Sequence, residues 1–177
     1  GPTITNGAFD SQNLAFWDPV RGEYRAFWRY FTKGTTNDKT WKPGGVRGIR
    51  TATSKDLRRW KNEADLAYVD SPPEELYENG VAPYHRAPHL FIGFPVRYID
   101  RAGAPSTSGR DGRDTPGLKK TSRWPTSLRA LPDLQQREAR AATSERYGSA
   151  ITEGLLMTSR DGVTFKRWNE GFLRPGI

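Results

Sequence analysis

The chain has 177 residues, of which 34% are hydrophobic and 12% aromatic, and it contains no cysteine. That excludes disulfides, thiolate metal centres and a cysteine nucleophile, and no apolar run reaches the 18 or so residues that read as a membrane span. A formal net charge of +8, a pI near 9.9 and a mean hydropathy of −0.80 describe a basic, polar chain.

Six Trp, seven Tyr and eight Phe nevertheless argue against disorder and suit an all-β protein or a sugar-binding surface. The basic balance fits a solvated surface, an anionic polysaccharide or a nucleic acid. No zinc-finger spacing, recognition-helix pattern or RNA-binding aromatic motif occurs, which disfavours nucleic acid.

Residues 9–31 read as an aromatic hairpin. Leu14 and Phe16, then Tyr24, Phe27, Trp28, Tyr30 and Phe31, give a roughly alternating strand pattern. Asp18-Pro19-Val20-Arg21-Gly22 supplies the turn, with Pro presetting φ and Gly free to take φ > 0. Asp10 stands just before the first apolar residues.

Residues 32–45 read as a polar loop and 46–54 as a strand, followed by a turn at 56–60. Residues 70–75, with two prolines, punctuate again. A strand is expected at 80–84, a hairpin turn at 85–88, and the most apolar strand of the chain at 89–98.

Residues 101–149 differ in composition, being rich in Gly, Ser, Pro, Lys and Arg. Within 101–148 there are ten Lys and Arg against five Asp and Glu. This segment reads as an inserted basic loop with one short helix at 131–142, inside a single domain spanning 1–177. Strands resume at 151–159 and 163–168.

An internal repeat organises these strands. Thr53-Ser54-Lys55-Asp56-Leu57-Arg58-Arg59-Trp60 matches Thr158-Ser159-Arg160-Asp161-Gly162, followed by Lys166-Arg167-Trp168. In each, a strand ends at Thr-Ser, an aspartate can bond backbone amides of the turn, and a tryptophan belongs to the next strand. Such a unit recurs once per blade in many propellers. Asp10, Glu78 and Glu153 stand at or near the starts of the strands that would line a central channel.

The hairpin Phe16-Trp17-Asp18-Pro19-Val20-Arg21-Gly22-Glu23-Tyr24 and the unit Thr53-Ser54-Lys55-Asp56-Leu57 resemble those of the five-bladed β-propeller glycoside hydrolases, the family 32 and 43-like group. The resemblance covers residues 8–100 and 148–176. It implies an all-β, propeller-like fold with about three of five blades in this chain, since a five-bladed ring needs on the order of 250–300 residues at about four strands per blade.

By resemblance, Asp10 corresponds to a transition-state stabiliser, Glu78 to a general acid and Glu153 to the acid of the next inner strand. The family's Asn-Asp-Pro-Asn-Gly, Arg-Asp-Pro and Glu-Cys motifs are absent, and no first-blade nucleophile is identifiable.

Read from the residues alone, the same acids keep plainer alternatives: a strand-start turn residue for Asp10, a solvated loop acid for Glu78, a cross-strand partner of Arg or Lys for Glu153. Asp18, Asp56 and Asp161 read as turn formers. Asn13, Asn79, His85, Arg86, His89 and Trp17 form the expected substrate-binding set. His85 and His89 lack a third ligand, so neither a metal nor a cofactor is expected.

The functions to be weighed are glycoside hydrolysis of an oligo- or polysaccharide, non-catalytic carbohydrate binding or a structural role, and a basic module for an anionic polymer. Carbohydrate, anionic glycans included, is the expected partner, with no membrane partner. A secreted or periplasmic location is slightly favoured over the cytoplasm.

Overall fold

A computed structural model describes residues 1–99, 126–143 and 149–175. The first sheet is an antiparallel meander of β1 (Leu14–Asp18), β2 (Glu23–Thr36), β3 (Trp41–Ser54) and β4 (Trp60–Asp65), hydrogen-bonded in that order. The β1–β2 turn forms where expected. The buried Asp18 carboxylate accepts from Val20 N at 3.1 Å and Arg21 N at 3.2 Å, and Gly22 takes φ +62°.

The polar stretch 32–45 is not a loop. It continues the β2–β3 ladder from Lys33↔Gly44 to Thr36↔Trp41, beyond a bulge between Phe31 and Lys33. Its side chains do not alternate because this arm has no core to face, so the strand period leaves no trace in the sequence. Asn37 closes the arm, its Oδ1 accepting from Lys39 N at 2.9 Å and Thr40 N at 2.8 Å.

After β5 (Ala67–Val69) and β6 (Glu75–Leu76), the chain forms β7 (Ala82–Tyr84), β8 (Ala87–Gly93) and β9 (Val96–Ile99). The apolar run expected as one strand over 89–98 is therefore two, broken at Phe94 and Pro95. Proline cannot donate to a ladder, and the halves pair in different sheets.

Beyond α1 (Thr126–Arg129) and α2 (Leu134–Thr143), the expected strand at 151–159 is likewise split, into β10 (Ile151–Gly154) and β11 (Met157–Ser159), before β12 (Thr164–Arg167). The two breaks face each other, with Leu155 N donating to Pro95 O at 2.8 Å. Residues 101–125 and 144–148 of the basic insertion, with residue 100 before it, lie outside the described residues. The helix expected at 131–142 is α2.

The second sheet runs β5-β12-β11-β8-β7, and the third β10-β9-β6. Within the second, β7, β8, β11 and β12 form a meander like β1 to β4, and the repeat closes the third-to-fourth strand connection of both. Asp56 Oδ1 accepts from Arg58 N at 2.9 Å and Arg59 N at 2.8 Å. Asp161 Oδ1 accepts from Val163 N at 2.8 Å and Thr164 N at 2.7 Å. The fold is all-β with an inserted helical segment.

Phe27, Ile49, Leu66, Leu76, Val81, Phe91, Leu155, Met157 and Phe165 form the main core. Phe27 meets the rings of Phe91 and Phe165 edge-on, each at 6.3 Å, locking the two meanders together. Burying each such side chain contributes about 1.5–3 kcal/mol. Ala26, Trp28 and Ala52 form a smaller cluster on the other face of the first sheet, packed against Ile4 and Trp60.

Candidate functional site

Two segments remote in sequence lie side by side just ahead of β1 and β7. Ser11 Oγ donates to Tyr77 O at 3.1 Å. Gln12 Oε1 accepts from Asn79 N at 3.2 Å and from Gly80 N at 2.8 Å, and Asn79 Nδ2 donates to Gln12 O at 3.3 Å. Gly80 takes φ +50°, turning the chain into β7. These bonds place Asp10 and Glu78 on adjoining segments. Asp10 forms an ion pair with the buried Arg29, while Glu78 is exposed and has no ion pair among the described residues.

Beside them is a cleft of about 430 Å³. Tyr77 and Tyr98 supply its aromatic wall, Glu78 and Thr152 its polar groups, and Val96 and Ile151 apolar surface. The tyrosine rings stand 6.1 Å apart and tilted by 59°. Thr152 and Glu75 are the cross-strand partners of Tyr98 on either side of β9, so strand alternation presents all three to one face of the third sheet.

Behind the rings lies a buried charge pair. The Arg47 guanidinium is 4.0 Å from the Tyr77 ring centre and 4.9 Å from that of Tyr98, and Arg29 is 5.3 Å from Tyr77. Arg47 Nε donates to Glu75, whose side chain is 1% exposed. Burial pushes the Glu75 carboxyl above its ordinary value, although Arg47 pulls it down. Burial likewise lowers Arg29, as does its neighbour Arg47.

Glu153 is on β10 directly opposite Arg97, and its carboxylate accepts from both Nε and Nη2 of that arginine. Arg97 also bonds Glu74 at 2.9 and 3.1 Å, and Arg167 joins Glu74 at 2.7 Å. This network occupies the face of the third sheet opposite Tyr98 and Thr152. The cross-strand pairing with arginine describes Glu153 as the structure places it.

The expected substrate-binding residues divide between two ends of the strands. Asn13 and Asn79 lie near Asp10 and Glu78. Their amides are engaged with backbone, Asn13 with Phe9 O and Ser11 O, Asn79 with Gln12 O and Val81 N. Trp17, His85, Arg86 and His89 lie at the far end of β1, where Arg21 reaches His89 O and Arg160 O. Five residues of strand set these ends about 13 Å apart. Trp17 packs edge-on against Tyr24 at 4.9 Å, and His85 against Tyr84 at 5.1 Å.

Tyr77, Tyr98 and Arg47 are absent from the sequence-based set. Tyr77 sits in a loop-like stretch and Tyr98 at the end of an apolar run. The one pointer was Arg97 inside that run, since alternation sends Arg97 and Tyr98 to opposite faces. In a second hollow, by the β3–β4 turn, Lys55 is paired with Glu23 and Arg59 with Asp56. Among the described residues no group of three or more His, Asp or Glu is placed to hold a metal ion, and no helix is long and apolar enough to cross a membrane.

No protein-family model and no curated protein sequence matches the chain. Among solved structures it is similar in fold to an N-acetylgalactosamine deacetylase from F. plautii, determined in complex with blood group B trisaccharide. The TM-score is 0.52 and the identity 14%. The likeness covers 99% of this chain and 34% of that one, so the chain spans about a third of the length of the protein it matches.

Proposed function

We propose that the protein binds carbohydrate in the cleft between Tyr77, Tyr98 and Thr152. The observation that carries this reading is the pair of tilted tyrosine rings facing a concave space beside Glu78. Sugar rings offer flat apolar C–H faces that pack on aromatic side chains, while their hydroxyls need a few polar partners, here Glu78 and Thr152. A cleft of about 430 Å³ suits one or two sugar units. The likeness in fold to a protein solved with a trisaccharide supports the same class of ligand.

A second reading, glycosidic hydrolysis, is favoured by one further observation: Asp10 and Glu78 stand on segments stitched together by Ser11 and Gln12. Hydrolysis needs two carboxyl groups flanking the scissile bond. In this reading Asp10, paired with Arg29, is the fixed anion and Glu78 the proton donor. Glu153 takes no part in either reading.

The test is a glycan panel scored for both binding and cleavage. Tyr98→Ala and Thr152→Val are expected to weaken binding about tenfold or more, with folding checked by circular dichroism. Binding that survives both substitutions unchanged in a folded protein removes the cleft as the site. Cleavage that is present in the parent and lost in Glu78→Gln and Asp10→Asn, with binding retained, selects the second reading.

A further inference from the structure

We infer that the sugar recognised by this cleft carries a free amine, as an amino sugar does. The inference rests on the carbohydrate-binding reading and adds the charge of the ligand. Its basis is the way charges around the cleft cancel. Behind the aromatic wall, Arg29 is paired with Asp10 and Arg47 with Glu75. On the opposite face of the third sheet, Arg97 and Arg167 are matched by Glu74 and Glu153. Among the described residues one charged side chain lines the cleft, Glu78, and it has no ion pair there.

A carboxylate beside aromatic rings is the combination that holds an ammonium group. The carboxylate accepts a charge-assisted hydrogen bond, and the face of an aromatic ring attracts a cation at short range. A neutral hydroxyl in the same place gains only an ordinary hydrogen bond. The Arg47 guanidinium lies against both rings from behind, so the ammonium belongs beside Glu78, which among the described residues is the charge of the cleft that the pairs behind leave uncompensated. This runs against the chain as a whole, which carries +8. A preference for a cationic glycan therefore cannot come from bulk attraction, because the overall charge repels it.

The experiment compares chemical twins by titration calorimetry: tetrasaccharides of glucosamine and of galactosamine, each beside its fully N-acetylated counterpart of the same linkage. The amine twin of at least one pair is expected to bind about tenfold tighter, the size of one charge-assisted hydrogen bond. In Glu78→Gln that ratio is expected to fall towards one. Equal binding of the twins, or tighter binding of the acetylated forms, overturns the inference while leaving carbohydrate binding intact. A preference for the amine that persists in Glu78→Gln also overturns it. Failure of every glycan, neutral or cationic, removes the carbohydrate reading itself.

Discussion

The guanidinium of Arg47 lies 4.0 Å from the ring centre of Tyr77, at the back of the cleft wall. It is held there by Glu75, and both side chains are almost wholly buried. Removing one partner of such a pair leaves an uncompensated charge inside the protein. Arg47→Ala is therefore expected to cost about 3–5 kcal/mol in urea unfolding. The double variant Arg47→Met with Glu75→Leu, which removes both charges and keeps apolar volume, should recover most of that loss. If the double variant is as unstable as the single one, the pair is not what makes Arg47 expensive to remove.

The two repeat turns predict a pH dependence with a definite sign. Asp56 is held below the usual carboxylate range by the Arg59 and Arg58 amides, and Asp161 is too, because the Val163 and Thr164 amides outweigh the opposing effect of burial. A carboxyl whose folded value is depressed stabilises above its unfolded value. That stability is lost as pH falls through the folded one. Asp161→Ala should thus lower stability at neutral pH by about 1 kcal/mol, limited by solvent screening at this exposed turn. The gap between variant and parent should close on acidification. Thermal melts at neutral and strongly acid pH check both halves of the expectation; a constant gap contradicts it.

Gly22 and Gly162 separate backbone strain from crowding. Both have positive φ, +62° and +78°, but a Cβ added at Gly22 meets open space. At Gly162 it stands 2.8 Å from Arg25 Nη1 and 3.0 Å from the Phe91 ring. Gly22→Ala is expected to cost about 1–2 kcal/mol for the left-handed conformation alone. Gly162→Ala adds a clash in the buried seam between the meanders and should cost more. Equal losses on chemical denaturation would show that Arg25 simply moves aside.

What could be read from the sequence was local. The Asp18 turn depends on residues within five positions, and so do the Ser54–Asp56 and Ser159–Asp161 turns, so composition and spacing identified them. The arm at 32–45 escaped because a strand with no core carries no alternation. The break at Phe94 and Pro95 escaped because a continuous apolar run does not reveal a change of sheet.

The cleft was less legible still. Arg47 comes from β3, Tyr98 from β9, Thr152 from β10 and Tyr77 from the segment after β6. Only tertiary pairing joins them. Position before strands points to Asp10 and Glu78, whose segments are joined by the hydrogen bonds of Ser11 and Gln12. The same kind of position points to Glu153, and strand alternation turns it to the face opposite Tyr98 and Thr152.

That division of the third sheet gives the sharpest test of the site. Arg97 and Glu153 face Arg167 and Glu74 on one side, while Tyr98 and Thr152 face the cleft on the other. Glu153→Gln keeps an oxygen acceptor for Arg97 but removes its charge, and Arg97 retains Glu74 and the Asn169 carbonyl at 3.0 Å. A hydrogen bond to a charged group is worth about 1.5–3 kcal/mol, so a stability loss of about that size is expected. Glycan affinity should change by less than about twofold, about 0.4 kcal/mol, because Glu153 points to the face of the sheet opposite the cleft and its charge is matched there by Arg97. Thr152→Val, one residue away, should do the reverse, sparing stability and weakening the glycan. Unfolding curves and titrations on the same two variants decide the matter. If Glu153→Gln abolished glycan binding or cleavage while leaving stability intact, Glu153 would belong to the site, and the arrangement of three cooperating carboxylates would be restored.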